Sequence, residues 1–177
     1  MKFGLSLLIA LGLISSCGES ISKYTQFTMN FDHKVTIPAN LGITLPFDFI
    51  TPETETNSES EFAINDTRKE LIEEILLEEA KLTITSPTNQ TFGFLNHLYL
   101  YINASGLDEV MIAKIENIPN NVGTELSLEP LGMDFKEYIK KEEFTLRIQA
   151  VTDKITNRDV DIKIETRFFV DAEILGQ

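Results

Sequence analysis

Few side chains in this chain can do covalent or metal chemistry, and their spacing limits what they can do together. There is one thiol, Cys17, and there are two imidazoles, His33 and His97. A zinc site needs three or four Cys, His or carboxylate ligands at close spacings, and no HExxH, His-x-His or Cys-x-x-Cys pattern occurs. Nucleophile signatures such as GxSxG, SxxK or a Cys–His pair are absent as well. The nine glycines are scattered and form no phosphate-binding loop. Twenty-eight acidic side chains offer many formal carboxylate pairs for hydrolysis, but a count fixes no geometry. No catalytic residue and no cofactor is expected.

Two constellations could still bind a ligand. In HLYLYIN, His97, Tyr99, Tyr101 and Asn103 share one parity, opposite the apolar Leu98, Leu100 and Ile102. Aromatic bodies with polar tips on one sheet face can stack a sugar ring or receive a peptide. A helix laid over the same face would make them ordinary packing, so burial decides. The second group is Asp153, Asn157, Asp159 and Asp161, whose oxygens could hold calcium in a sandwich loop. The EF-hand pattern fails there, because the turn has no Gly and no Glu closes it. His33 lies in Asp32-His33-Lys34 between two apolar runs, where a bend or hairpin is expected.

Alternation of period two dominates the chain after the first two dozen residues, the mark of strands with one buried face. Val160, Ile162, Ile164, Phe168 and Val170 form one apolar parity, and Phe144, Leu146, Ile148 and Ala150 form another just before it. With a polar connection at 153–158, these two runs predict an antiparallel hairpin. A second hairpin is predicted for Leu98–Ile102 and Val110–Ile115, with Gly106 in its turn. Phe27–Ile37, Ile43–Phe49, Glu79–Thr85 and Thr124–Glu129 add further strands. Pro38, Pro52, Pro87, Pro119 and Pro130 fall at the ends of runs, whereas Pro46 interrupts one and predicts an edge strand or a bend. Capping-box spacing at Thr67–Glu70 ahead of LIEEILLEE predicts a helix, and DFKEYIKK a second. TPETETNSESE, residues 51–61, reads as a mobile acidic loop. The pattern predicts a mainly β fold: an antiparallel two-sheet β-sandwich, immunoglobulin-like or jelly-roll-like, with one or two short helices.

The N-terminus supplies an address. Met1-Lys2 precedes about a dozen apolar or small residues, Phe3–Ile14, short of the roughly twenty that a spanning helix needs. Behind them, Ile14-Ser15-Ser16-Cys17 resembles the lipobox of bacterial lipoproteins. That resemblance implies a diacylglycerol on the Cys17 sulfur and cleavage before it. It makes residues 1–16 a signal peptide, 17–23 a lipidated N-terminus with a short tether, and 24–177 one domain. Gly18 stands where an Asp retains lipoproteins at the inner membrane in familiar systems, so the outer membrane is expected by analogy. The chain is also similar to small envelope lipoproteins of Bacteroidota-type bacteria, which pair a lipobox with an acidic β-sandwich.

Charge narrows the partners. Without Lys2, the chain has 14 basic and 28 acidic side chains, a net of −14. That balance argues against nucleic-acid binding, which rests on basic side chains at phosphates, and against electrostatic docking on anionic lipid. The expectation is a membrane-anchored, non-enzymatic binding or structural module with an envelope protein or glycan as partner. The alternatives are a glycan- or calcium-binding sandwich and, further off, a hydrolase.

Overall fold

The computed structural model describes residues 26–42 and 45–173. Cys17, the leader and the tether lie outside the described residues. Nine antiparallel strands follow one another: β1 Gln26–Ile37, β2 Pro46–Ile50, β3 Thr54–Glu55, β4 Ile72–Ser86, β5 Leu95–Asn103, β6 Val110–Ile115, β7 Glu125–Pro130, β8 Glu143–Thr152 and β9 Val160–Ala172. Two short α-helices accompany them, α1 Ser58–Ile64 and α2 Lys136–Ile139.

The hydrogen-bonded order is β1-β9-β4-β7-β6-β5-β8-β2, with β3 pairing β8 beyond the end of β2. The β7–β6 pairing is only Ala113↔Pro130 and Lys114↔Glu129, and there the path folds over. The result is two four-stranded layers, β1-β9-β4-β7 and β2-β8-β5-β6. This is jelly-roll order: strands adjacent in sequence usually lie in opposite layers, and only β5–β6 is a hairpin within one layer. The strand order therefore decides between the two topologies left open by the sequence.

The inward parities meet between the layers. Phe31 of β1 packs edge-on to Phe144 of β8 at 5.0 Å between ring centroids and to Phe168 of β9 at 5.9 Å. Phe135, leading into α2, meets Phe168 at 6.3 Å. Burying such a ring contributes on the order of 2–3 kcal/mol, and each edge-to-face pair adds about 1 kcal/mol. Pro46 opens β2, which is an edge strand as expected, and Gly106 occupies the β5–β6 turn with φ +77°.

Four expectations need correction. Strands β8 and β9 are not a hairpin: β8 pairs β5 and β2, whereas β9 pairs β1 and β4. Their connection crosses between layers, which lets each run put its apolar parity into the core. The segment LIEEILLEE is not a helix but the first part of β4, preceded by a single 3-10 turn at Lys69–Leu71. Residues 51–61 are not a featureless loop, since they contain β3 and most of α1. Helix α1 has Glu59 and Glu61 in its first turn, as the macrodipole favours, and buries Phe62 against Phe27 at 6.1 Å.

The fourth correction is His33. Strand β1 runs straight through it, paired residue for residue with β9 from Gln26↔Asp171 to Ile37↔Val160. The imidazole takes the inward parity, is only 4% exposed and lies edge-on to Phe144 at 5.5 Å. Nδ1 sits 3.0 Å from Thr54 Oγ1, and Nε2 is buried without a partner. A hydrogen on Nδ1 satisfies this arrangement best, because it leaves a bare lone pair in the core instead of an orphaned N–H. Burial lowers the ring's pKa from 6.5 to about 4, against a smaller opposing pull from Asp32.

The unfolded chain thus binds a proton near pH 6.5 that the folded one refuses until about pH 4. This contribution to stability is complete above the upper value and declines as pH falls toward the lower one, by up to about 3 kcal/mol. Denaturant unfolding across that window should show a steeper loss for the wild type than for His33→Gln. Parallel curves for the two would mean that the buried imidazole does not set the acid sensitivity.

Candidate functional site

Strand β5 builds the candidate surface. Leu98, Leu100 and Ile102 are fully buried, so strand pleating turns His97, Tyr99, Tyr101 and Asn103 to the outside of the β2-β8-β5-β6 layer. The predicted helix that would have covered them is a strand in the other layer. The stripe is accordingly uncovered: His97, Tyr99 and Tyr101 are half-buried and Asn103 is exposed.

Neighbouring strands fix these side chains. Arg147 on β8 stands directly opposite Tyr101, and its guanidinium lies over the ring at 4.0 Å from the centroid. The same guanidinium donates to Glu109 from Nε at 3.0 Å and from Nη2 at 2.6 Å, and through Nη1 to Asp48 on edge strand β2. Glu109 first, and then Asp48, raise the arginine's pKa against a contrary effect of desolvation. Gln149, opposite Tyr99, donates to the same Asp48 carboxylate at 3.2 Å. One arginine thus clamps β2, β8 and the start of β6 across the outer face.

Tyr99 forms the second node. Its hydroxyl donates to Glu116 Oε1 at 2.8 Å, and Lys114 holds Glu116 Oε2 at 3.3 Å. The hydrogen bond to Glu116 raises the Tyr99 pKa, and the same bond lowers that of Glu116, with Lys114 adding to the effect. His97 stacks on Tyr99 at 6.3 Å and 25° between ring planes, while its Nδ1 accepts from the Asn117 N–H at 3.3 Å. All four predicted residues therefore lie on one open face. The faces of Tyr99 and Tyr101 are already engaged by His97 and Arg147, so this is a flat, pre-organised polar and aromatic surface and not a ring-stacking cleft.

The predicted calcium loop does not assemble. Asp159 accepts from the Ala39 N–H at 2.8 Å and Asp161 from the Thr36 hydroxyl at 2.7 Å, so both tie the loop to β1 and its exit. Asp153 keeps Oδ1 buried without a partner, and Asn157 is exposed. Among the described residues no three His, Cys, Asp or Glu side chains converge as a metal site would require.

Sequence reasoning passed over a cleft between the β4–β5, β6–β7 and β8–β9 connections, lined by Gln90, Asn120, Lys154 and Arg158 among others. A signal for it was present: no Asp or Glu occurs between Glu79 and Asp108 in an otherwise acidic chain.

No protein-family model matches the chain, and no curated protein does. Among solved structures, a chain from Desmodium yellow mottle tymovirus is 12% identical, with 100% of this chain and 96% of that one covered at a TM-score of 0.28. One from turnip yellow mosaic virus is 11% identical over 99% and 93%, with a TM-score of 0.29. Cocksfoot mottle virus gives 8% identity over 98% and 97%, with a TM-score of 0.29. Likeness at that level assigns no function.

Glu116→Gln removes the charge that opposes ionisation of Tyr99. The Tyr99 ring resonances in an NMR titration should then move at lower pH than in the wild type. An unchanged Tyr99 midpoint would show that the pairing does not form in solution.

Proposed function

We propose that the chain is a non-enzymatic docking module of the bacterial cell envelope, held to the outer membrane by lipid on Cys17. The observation that carries the address is the sequence Ile14-Ser15-Ser16-Cys17 behind a short apolar run. Each buried methylene contributes roughly 0.8 kcal/mol, so a diacylglycerol anchors stably where one chain would not. The nine steps from Cys17 to Gln26 span at most ~30 Å at ~3.3–3.6 Å per residue. An accessory subunit working near the bilayer fits such a tether better than a long-range adhesin does.

The docking face in this reading is the stripe on β5. Tyr and Arg are over-represented at the energetic centres of protein interfaces, because they bring large contact area with few freely rotating bonds. Here both are locked by neighbours before a partner arrives, which reduces the ordering cost of association. A flat face with engaged rings suits an envelope protein better than a glycan.

Hydrolysis finds little support. Thr54 brings a hydroxyl to His33, yet that imidazole is buried, lacks a carboxylate on Nε2 and has a pKa near 4, which makes it a poor base.

Two experiments test the two halves of the proposal. Cys17→Ser should abolish palmitate labelling and release the protein from membranes. Retention of both in that variant would remove the anchor. A photo-crosslinker placed at Tyr101 or Asn103 should trap a partner in cells, and the same group at Lys81 on the opposite outer face should not. Equal trapping from both faces would end the assignment of the β5 stripe. Binding on a glycan array that is lost with Tyr99→Ala and Tyr101→Ala would favour the glycan alternative.

A further inference from the structure

The connections β1–β2, β4–β5, β6–β7 and β8–β9 gather at the end of the sandwich away from Gln26. Asn40 N–H donates to Thr156 O, Asp153 N–H to Phe94 O, and Phe92 N–H to Gly123 O, so these loops are knitted together. The last three enclose an open cleft of about 460 Å³, within the 300–1,000 Å³ range of sites for small ligands. Its polar lining includes Thr88, Gln90, Asn120, Lys154, Asn157 and Arg158.

Charge sets this cleft apart. The chain has 28 acidic and 15 basic side chains, yet no Asp or Glu lines the cleft. Four other surface depressions each contain at least two carboxylates and more acids than bases. The acids nearest in sequence are directed elsewhere: Asp159 to Ala39 N–H and Asp161 to Thr36. Asp153 has one oxygen buried and does not line the cleft.

The two cations there have different roles. Lys154 Nζ donates to Gly93 O at 2.9 Å and to Asn120 Oδ1, joining three loops. The close approach depends on Gly93, where a Cβ would lie 2.3 Å from Asn120 O. Arg158 has no carboxylate within ion-pairing distance among the described residues. The other three arginines, Arg68, Arg147 and Arg167, each have at least one. An arginine left unpaired in so acidic a chain, in the cleft that acids avoid, is placed to receive an anion from outside.

We propose that the cleft binds an acidic saccharide. The guanidinium of Arg158 takes the sugar carboxylate, whose two oxygens match its planar fork. Gln90, Asn120, Asn157 and Thr88 both donate and accept, as ring hydroxyls require. Exposed Ile155 offers a wall for the apolar edge of the ring. A single uncommitted cation among many neutral polar groups suits one carboxylate on a hydroxylated ring better than a phosphate, which would call for more positive charge. This site is separate from the β5 face and does not depend on it.

The test is calorimetric titration of the full-length protein in detergent with galacturonate and glucuronate oligosaccharides, their neutral galactose and glucose counterparts, and inorganic phosphate. The acidic sugars should bind saturably, with the neutral ones at least about tenfold weaker, as expected for loss of a charged hydrogen-bond partner. Arg158→Ala should weaken acidic-sugar binding at least about tenfold and Arg158→Lys less, with melting temperatures unchanged because the side chain is exposed. Tyr99→Ala with Tyr101→Ala should leave this binding intact, so failure here and failure of the docking face are separable. The proposal is overturned if acidic and neutral sugars bind alike, if Arg158→Ala has no effect, or if no acidic sugar saturates. It is equally overturned if phosphate competes as well as the sugars, or if the tyrosine variant loses binding.

Discussion

The rest of the molecule depends on the way β9 is enclosed between β1 and β4. It pairs with β1 over twelve consecutive residues and with β4 over nearly the same length. Its inward parity, Val160 through Ala172, is buried at every position. With hydrogen bonds satisfied on both edges and one face in the core, a slip of one residue would turn every inward apolar residue of this strand to the solvent face. Strand β8 takes the same central place in the other layer, between β5 and the β2–β3 edge. The core is the contact between these two central strands and their neighbours, and Phe31, Phe144 and Phe168 are where the layers interlock.

With the apolar parities committed inward, the two outer faces receive whatever is left, and they are used differently. Outside β1-β9-β4-β7, Lys163 bridges Asp32 and Glu165, Arg167 bridges Glu78 and Glu79, and Lys81 meets Glu125. Such exposed pairs are screened by water and contribute little, so they read as a solvated surface. Outside β2-β8-β5-β6, the charges are organised around aromatic rings: Arg147 over Tyr101, and Glu116 on Tyr99. On the first face cations bridge neighbouring acids, Asp32 and Glu165 being directly opposite in register, while on the second Arg147 and Glu116 hold tyrosine side chains across the strands.

Period two made most of this legible, because nearly every strand has one face in the core and one in water. The same signal misled where the chain broke its own rhythm. In β4 the buried residues are Ile72, Ile75, Leu77, Ala80, Leu82 and Ile84, with register shifts against β9 at Ile72/Glu74 and Leu77/Glu79. Each shift adds a residue, so apolar positions fall three apart and LIEEILLEE imitates a helical stripe. Pairing partners were hidden for another reason. Alternation shows which residues face the core but not which layer a strand joins, so β8 and β9, adjacent in sequence, passed for a hairpin. His33 kept the parity of Met29 and Phe31, yet its polarity suggested a bend. What resolves it is Thr54, a residue 21 positions away whose approach no local pattern reveals.

The direction of β1 links the proposed anchor to the proposed cleft. The strand starts at Gln26, the described residue nearest Cys17, and ends at Ile37, paired with Val160 where the β8–β9 connection rejoins the sheet. Twelve residues at ~3.4 Å each separate these ends by ~40 Å. A lipid tether joined at Gln26, as proposed, would hold that end of the sandwich toward the membrane, and the loops carrying Lys154 and Arg158 belong to the other end. With the proposed anchor, the acid-free cleft would face the medium and the β5 stripe would lie along the flank. The cleft lies among the end loops and the stripe on a sheet face, so the two surfaces share no lining residue and can be occupied together.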